Sequence, residues 1–251
     1  MTPDAPDTIA AKDAAAELAP SGTLRAGVNL SNFLLVTGTA PSGDPVGVSP
    51  DMARAIADKL GVAVSYVTFP SPGELADAAG DDVWDIGLIA AEPARAETIA
   101  FTDAYVEIEA TYMVPEGSPL TAIDDIDRPG VRVAVAARSA YDLYLTRHLK
   151  HAELVRAKGL AGAVELYLAE KLDALAALRP GLIADADKLS GGRILDGRFT
   201  AVQQAVGTAP ANRAGAAFLR DFVAEAKASG LVAQLIERHG VTGRLLVAPP
   251  G

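Results

Sequence analysis

Short apolar runs alternate with helix signals along this chain, in the same order twice, and that alternation restricts the fold more than any other feature. Thr23-Leu24-Arg25-Ala26-Gly27-Val28 reads as a first strand after the Pro20-Ser21-Gly22 break. Asn29 to Gly47 is a long loop rich in glycine and proline, closing as a turn or hairpin around Ser42-Gly43-Asp44. Ser49-Pro50-Asp51 reads as a helix start, with a hydroxyl cap, a proline in the first turn and an acid beside it. Met52, Ala53, Ile56, Ala57 and Leu60 form its buried stripe, and Gly61 stops it. Val62 to Val67 is a second strand, Glu74 to Ala79 a short helix, and Trp84 to Ile89 a third strand. Residues 131–176 repeat this order, with strands at Val131–Val135, Glu153–Arg156 and Leu172–Ala176 and helices over 139–150 and 160–169. Two helices, 213–229 and 231–239, close the chain. Helices spaced between short strands imply parallel sheets with right-handed crossovers, hence an α/β fold with two lobes. A tail returning to the first lobe suggests a ligand cleft between hinged domains.

Composition removes several functions. With 251 residues the chain can bury a full core, and it contains no apolar run of about 18 residues that would cross a membrane. A formal charge of −10 argues against nucleic acid and against an anionic membrane surface as partners. It does not argue against a small anion, which responds to its own pocket. The absence of cysteine excludes disulfides, thiolate catalysis and cysteine-ligated metals. His148, His151 and His239 each suit a helix C-terminus, and none has an acidic neighbour at ligand spacing, so no metal and no cofactor is expected. Residues 1–20 are rich in Ala, Asp and Pro and are not a secretory leader as written. Either a leader has been removed, which places the protein in the periplasm, or Met1 is the native start and the protein stays in the cytoplasm.

The segment with the most chemistry in it runs from Trp84-Asp85-Ile86 through Ala90-Ala91-Glu92-Pro93-Ala94-Arg95 to Phe101-Thr102-Asp103-Ala104-Tyr105. An apolar strand stops at small residues and turns through Pro93 into a helical start carrying one cation. Ligands of open α/β sheets bind at the carboxyl ends of strands, and an arginine there can fork onto a carboxylate through two parallel bonds.

Four landmarks in order resemble the type II periplasmic binding proteins, close to the family 3 extracellular solute-binding proteins of ABC importers. They are Leu24-Arg25-Ala26-Gly27; Gly47-Val48-Ser49-Pro50-Asp51 through Ala57-Asp58-Lys59-Leu60-Gly61; the Trp84–Tyr105 segment; and Val131–Val135 up to Ser139-Ala140, with Leu172-Asp173-Ala174 beyond. The resemblance spans about residues 21–245. It implies the two-lobed type II fold with hinged lobes, one made of 21–110 plus 207–251 and the other of 111–206, with 1–20 as an N-terminal extension. It also implies a non-enzymatic monomer that hands its solute to an ABC permease if exported.

Carried over residue by residue, the resemblance makes Arg95 the clamp for a ligand carboxylate. Ser139 and the amides of Ala140 and Tyr141 meet the same anion from the second lobe, and Asn29, Asn32 and Phe33 wall the site after the first strand. Departures from the family pattern carry information too. Ala90, Ala91 and Glu92 replace hydroxyl-bearing residues before the arginine, and Arg138 stands where many relatives have glycine. The position five beyond Asp173, where amino-acid binders hold an ammonium-binding aspartate, is Leu178, followed by Arg179. Arg95 with Arg138 or Arg179 and no matching acid suits a carboxylate or dicarboxylate better than a zwitterion, unless Glu92 restores an ammonium contact. Two other readings stay open: a cytoplasmic sensor of the same fold, and a dehydratase-like enzyme acting on cyclic carboxylates, for which only Glu92 is placed as an acid or base.

Overall fold

The computed structural model describes residues 6–186, 189 and 191–250. Its chain forms two compact units, one from the described residues up to Glu107 with those from Gln203 onward, the other from Ile108 to Val202. In chain order the elements are α1 (Pro6–Leu18), β1 (Thr23–Asn29), β2 (Gly38–Thr39), β3 (Pro45–Val46), α2 (Val48–Leu60), β4 (Ala63–Phe69), α3 (Pro72–Asp77), β5 (Ile86–Ala90), β6 (Ala100–Phe101) and β7 (Val106–Val114). There follow β8 (Arg132–Ala136), α4 (Ala140–His148), β9 (Glu153–Ala157), α5 (Gly159–Ala169), β10 (Ala174–Leu178), α6 (Arg179–Ala184) and β11 (Arg193–Ile194). Last come β12 (Thr200–Thr208), α7 (Arg213–Ala228), α8 (Leu231–Arg238) and β13 (Leu246–Val247). Strand β7 leaves the first unit and β12 returns to it.

In the first unit β1 is the central strand, parallel to β4 on one side and to β5 on the other, and β12 runs antiparallel along β5. All five residues of β5 are buried, as expected of a strand covered on both faces. Met52, Ala53, Ile56 and Ala57 form the buried stripe of α2. The second unit repeats the plan. Strand β8 lies between β9 and β10, parallel to both, and β7 runs antiparallel along β10. Helix α5 lays Ala163, Val164 and Tyr167 onto a core with Leu172, Leu175 and Met113.

One device starts both sheets. In the first unit Asp85, just ahead of β5, accepts the Arg25 amide at 2.7 Å and gives its own amide to the Arg25 carbonyl at 2.9 Å. In the second, Asp173, just ahead of β10, accepts the Arg132 amide at 2.8 Å and donates to the Arg132 carbonyl at 3.0 Å. Three of the sequence landmarks are therefore fold-forming pairs at the amino edge, far along the strand from the carboxyl ends. Asp85 is the stronger partner: the Arg25 guanidinium also grips it, at 2.7 Å from Nη2, and this pairing raises the arginine further above its usual range.

Several local expectations shift. Residues 6–18 form a helix where the sequence suggested only an extension. Ala14 and Leu18 are buried, Glu17 accepts the Gly215 amide at 2.8 Å, and a Cβ at Gly215 would meet Leu18 at 2.7 Å, so α1 packs closely on α7. Helix α2 starts at Val48, one residue before Ser49, and Gly47 supplies a cap without a side-chain bond. Ser49 faces inward instead, hydroxyl to hydroxyl with the fully buried Tyr105 at 2.8 Å. Gly47 is obligatory, because at φ 154° a Cβ would lie 2.1 Å from the Leu35 carbonyl oxygen. Helix α3 begins at Pro72, with the Ser71 hydroxyl accepting the Glu74 amide, and β10 ends at Leu178, two residues later than the apolar run suggested.

Candidate ligand site

The carboxyl ends of the parallel strands carry the candidate residues in each unit. In the first unit β5 ends at Ala90, whose amide neighbour Ala91 donates to the Gln203 carbonyl at 2.8 Å. The helical start expected after Pro93 is a set of turns, with Glu92 accepting the amides of Arg95 and Ala96 and Arg95 accepting that of Ile99. These turns fold the Arg95 side chain back under the strand end. Its Nη1 donates to the Ala90 carbonyl at 2.9 Å, and the residue is only 5% exposed. Glu92 is half-buried beside it in sequence.

After β1 the chain makes a tight loop held by its own asparagines. Asn29 Oδ1 accepts the amide and the hydroxyl of Ser31, while buried Asn32 accepts the Leu34 amide. Both side-chain oxygens thus shape the loop. Phe33 and Leu30 stand out from it, 38% and 45% exposed, a high value for large apolar side chains.

In the second unit Ser139 caps α4, its hydroxyl accepting the Asp142 amide at 3.1 Å. The first turn of a helix leaves its amides without partners inside the helix, which is why the amides of Ala140 and Tyr141 suit an anion. Tyr141 is buried, and burial pushes its phenol up to about 12 against the pull of the Ser139 bond. Arg138 is exposed and sits at φ 62°, the left-handed region that glycine adopts without strain. That geometry suits the glycine which the family resemblance implies at this position. Arg179 is engaged elsewhere: its Nε donates to Glu109 at 2.9 Å and its Nη2 to the carbonyls of Leu195 and Gly197. Leu178, the last residue of β10, pairs in register with Ala110.

Two participants were not anticipated from sequence. Asp142 is buried and accepts the Arg138 amide at 2.8 Å and Arg156 Nε at 2.9 Å, fixing the turn that carries Arg138. Lys158 is the residue between β9 and α5. Their significance depends on where strands end, which spacing alone does not give. No group of three His, Asp or Glu among the described residues has metal-binding geometry, and no described helix is long and apolar enough to cross a membrane.

The family profile described as bacterial extracellular solute-binding proteins, family 3, matches residues 27–242, and the chain belongs to that family. Solved structures agree in fold. A mutant of ArgBP from T. maritima superposes with a TM-score of 0.71 at 22% identity, over 90% of this chain and 99% of that one. An amino acid ABC transporter substrate-binding protein from Streptococcus pneumoniae, bound to L-arginine, gives 0.72 at 18% identity over 94% and 99%. An ancestral amino acid-binding protein, a precursor of cyclohexadienyl dehydratase, gives 0.69 at 21% identity over 88% and 97%. A search of curated protein sequences finds no match.

Proposed function

We propose that this chain captures a small carboxylate-bearing solute outside the cytoplasmic membrane for an ABC importer and performs no reaction of its own. The observation that carries this reading is Arg95. A guanidinium stays charged at any working pH, and burying one is costly unless anions or dipoles compensate it. Here it is held at the carboxyl end of β5, and the resemblance to the family implies a ligand carboxylate for it. Within the second unit, Ser139 with the amides of Ala140 and Tyr141 is an anion-binding candidate of its own; within the first, Phe33 offers an apolar face. Asn29 and Asn32 set the loop that presents it, and Glu92 and Ala90 flank the clamp.

Structural neighbours include proteins bound to arginine and lysine. Leu178, in place of an ammonium-binding aspartate, separates this chain from ligands that need an acid there, and favours organic acids over zwitterions. A thermal-shift screen of organic acids and amino acids tests the reading. A ligand at a hundredfold excess over its Kd adds about 2.7 kcal/mol of stability. Arg95→Ala should remove the shift given by the best acid. A full shift in that variant, or a screen in which only cationic amino acids stabilise the chain, contradicts the proposal.

A further inference from the structure

The loop that leaves β1 sorts its apolar residues in two directions. Leu34 and Leu35 point into the core, 0% and 3% exposed, whereas Leu30 and Phe33 are held out at 45% and 38%. Hydrogen bonds fix the backbone that holds them out. The Leu30 amide donates to the Phe69 carbonyl at 2.9 Å, and the Asn32 carbonyl accepts the amides of Leu35 at 3.0 Å and Val36 at 2.9 Å. Five large apolar side chains stand exposed among the described residues of the first unit, and location separates these two from the others. Val83 precedes β5, and Leu246 and Val247 form β13. Of the five, only Leu30 and Phe33 follow the carboxyl end of a parallel strand, where ligands of such sheets bind.

Register brings this pair to the Arg95 clamp inside one unit. Strands β1 and β5 are neighbours with Val28 opposite Leu88, so Leu30 stands level with Ala90, one strand spacing of about 4.8 Å away. The Ala90 carbonyl is the group that holds Arg95 Nη1. Polar side chains of the same edge are turned onto their own loops. Ser31 Oγ donates to Asn29 Oδ1 at 2.8 Å, Asn32 Oδ1 accepts the Leu34 amide at 3.2 Å, and after β4 Ser71 Oγ donates to Glu74 Oε1 at 3.1 Å. What the β1 loop offers beside the guanidinium is therefore hydrocarbon. Glu92, on the same edge, adds a negative charge that disfavours a second carboxylate.

We infer that Leu30, together with Phe33, determines specificity by covering the hydrocarbon body of the solute, which is then a monocarboxylate with a branched or aromatic body. The inference rests on the carboxylate reading of Arg95 and narrows the solute class. Covering apolar surface is favourable in proportion to the area removed from water. A hydroxyl or second carboxylate against the same face would lose its water without gaining a partner.

The test is calorimetric titration of the full chain with isovalerate and hydrocinnamate, and with hydroxybutyrate and succinate as polar counterparts. The better apolar acid should bind at least about tenfold more tightly in Kd than either polar one. Its heat-capacity change should also be the more negative, the mark of apolar burial. Leu30→Gln and Phe33→Gln change exposed positions, so the melting temperature without ligand should hold. Each should weaken the apolar acid about threefold or more, and the double variant should bring all four acids within about threefold of one another. Arg95→Gln should weaken both groups together. Equal affinities in the wild-type chain, or a preference that survives the double variant, overturn the inference, and the Arg95 clamp then stands or falls on its own variant. If Arg95→Gln alters neither group while the double variant removes the preference, the clamp fails and the apolar face stands. A chain that binds none of the four acids overturns both.

Discussion

The two units are built on one plan, and they agree at one edge of their sheets and differ at the other. Each has three parallel strands with the first in the middle, plus an antiparallel strand beside the third. At the amino edge each uses an arginine amide and an aspartate carboxylate to start the sheet. At the carboxyl edge the first unit carries Glu92 beside one buried guanidinium, whereas the second presents Arg138, Lys158 and Arg179. Shared features belong to the fold.

The amino-edge aspartates give the largest contrast. Asp85 is buried and carries the Arg25 guanidinium as well as its amide, while Asp173 is exposed and the Arg132 guanidinium goes to Glu170. Asp85→Ala should therefore cost about 3 kcal/mol of stability in denaturant unfolding, and Asp173→Ala about 1 kcal/mol. Equal losses would remove the distinction between the two starts.

Backbone conformation gives a contrast of opposite sign. Gly47→Ala in the first unit would drive a methyl into the Leu35 carbonyl and should cost roughly 2–3 kcal/mol. Arg138→Gly in the second relieves a left-handed arginine and should leave stability unchanged or raise it by up to about 1 kcal/mol. A melting temperature lowered by Arg138→Gly would show that its side chain stabilises the fold.

Titration should divide the units less sharply. Burial raises the phenols of Tyr105 in the first unit and Tyr141 in the second, the latter to about 12. A raised folded value means stability that is complete below the unfolded value near 10 and declines as pH rises through the folded one. Thermal melts should thus fall progressively above about pH 10, and Tyr141→Phe should soften that decline. At the acid end Asp127 behaves in the reverse sense. Burial pushes its carboxyl up, but the amides of Ala152, His151 and Lys150 together pull it below its ordinary value. The stability it adds is present above the unfolded value near 4 and is lost as pH falls through the folded one. Asp127→Asn should therefore flatten the acid limb of the stability profile; an unaltered limb contradicts the assignment.

Much of this architecture was legible in the residues. Alternating apolar runs and helix ends mark strands and helices because burial on both faces and capping leave local traces, as in β5 and the Gly61 stop of α2. Helix α1 left little trace: among its described positions only Ala14 and Leu18 are buried, and its many alanines give weak periodicity even though alanine favours helix strongly. Ser49 looked like a cap because Ser-Pro-Asp is the usual signal, yet Gly47 takes that place, since only it fits against Leu35. Arg95 stood out from a motif, while the basic edge did not. Arg138, Lys158 and Arg179 lie 20 or 21 residues apart, and only the ends and order of β8, β9 and β10 bring them together. Arg179, a candidate from its place in the chain, is drawn to Glu109 by the fold.

The most direct test of the whole account is a crystal structure of the chain with the tightest-binding acid from the screen. The account predicts a ligand carboxylate on the Arg95 guanidinium, with two oxygen–nitrogen distances of about 2.7–2.9 Å. A ligand seated elsewhere, with Arg95 still turned to the Ala90 carbonyl and touching no ligand atom, would contradict it.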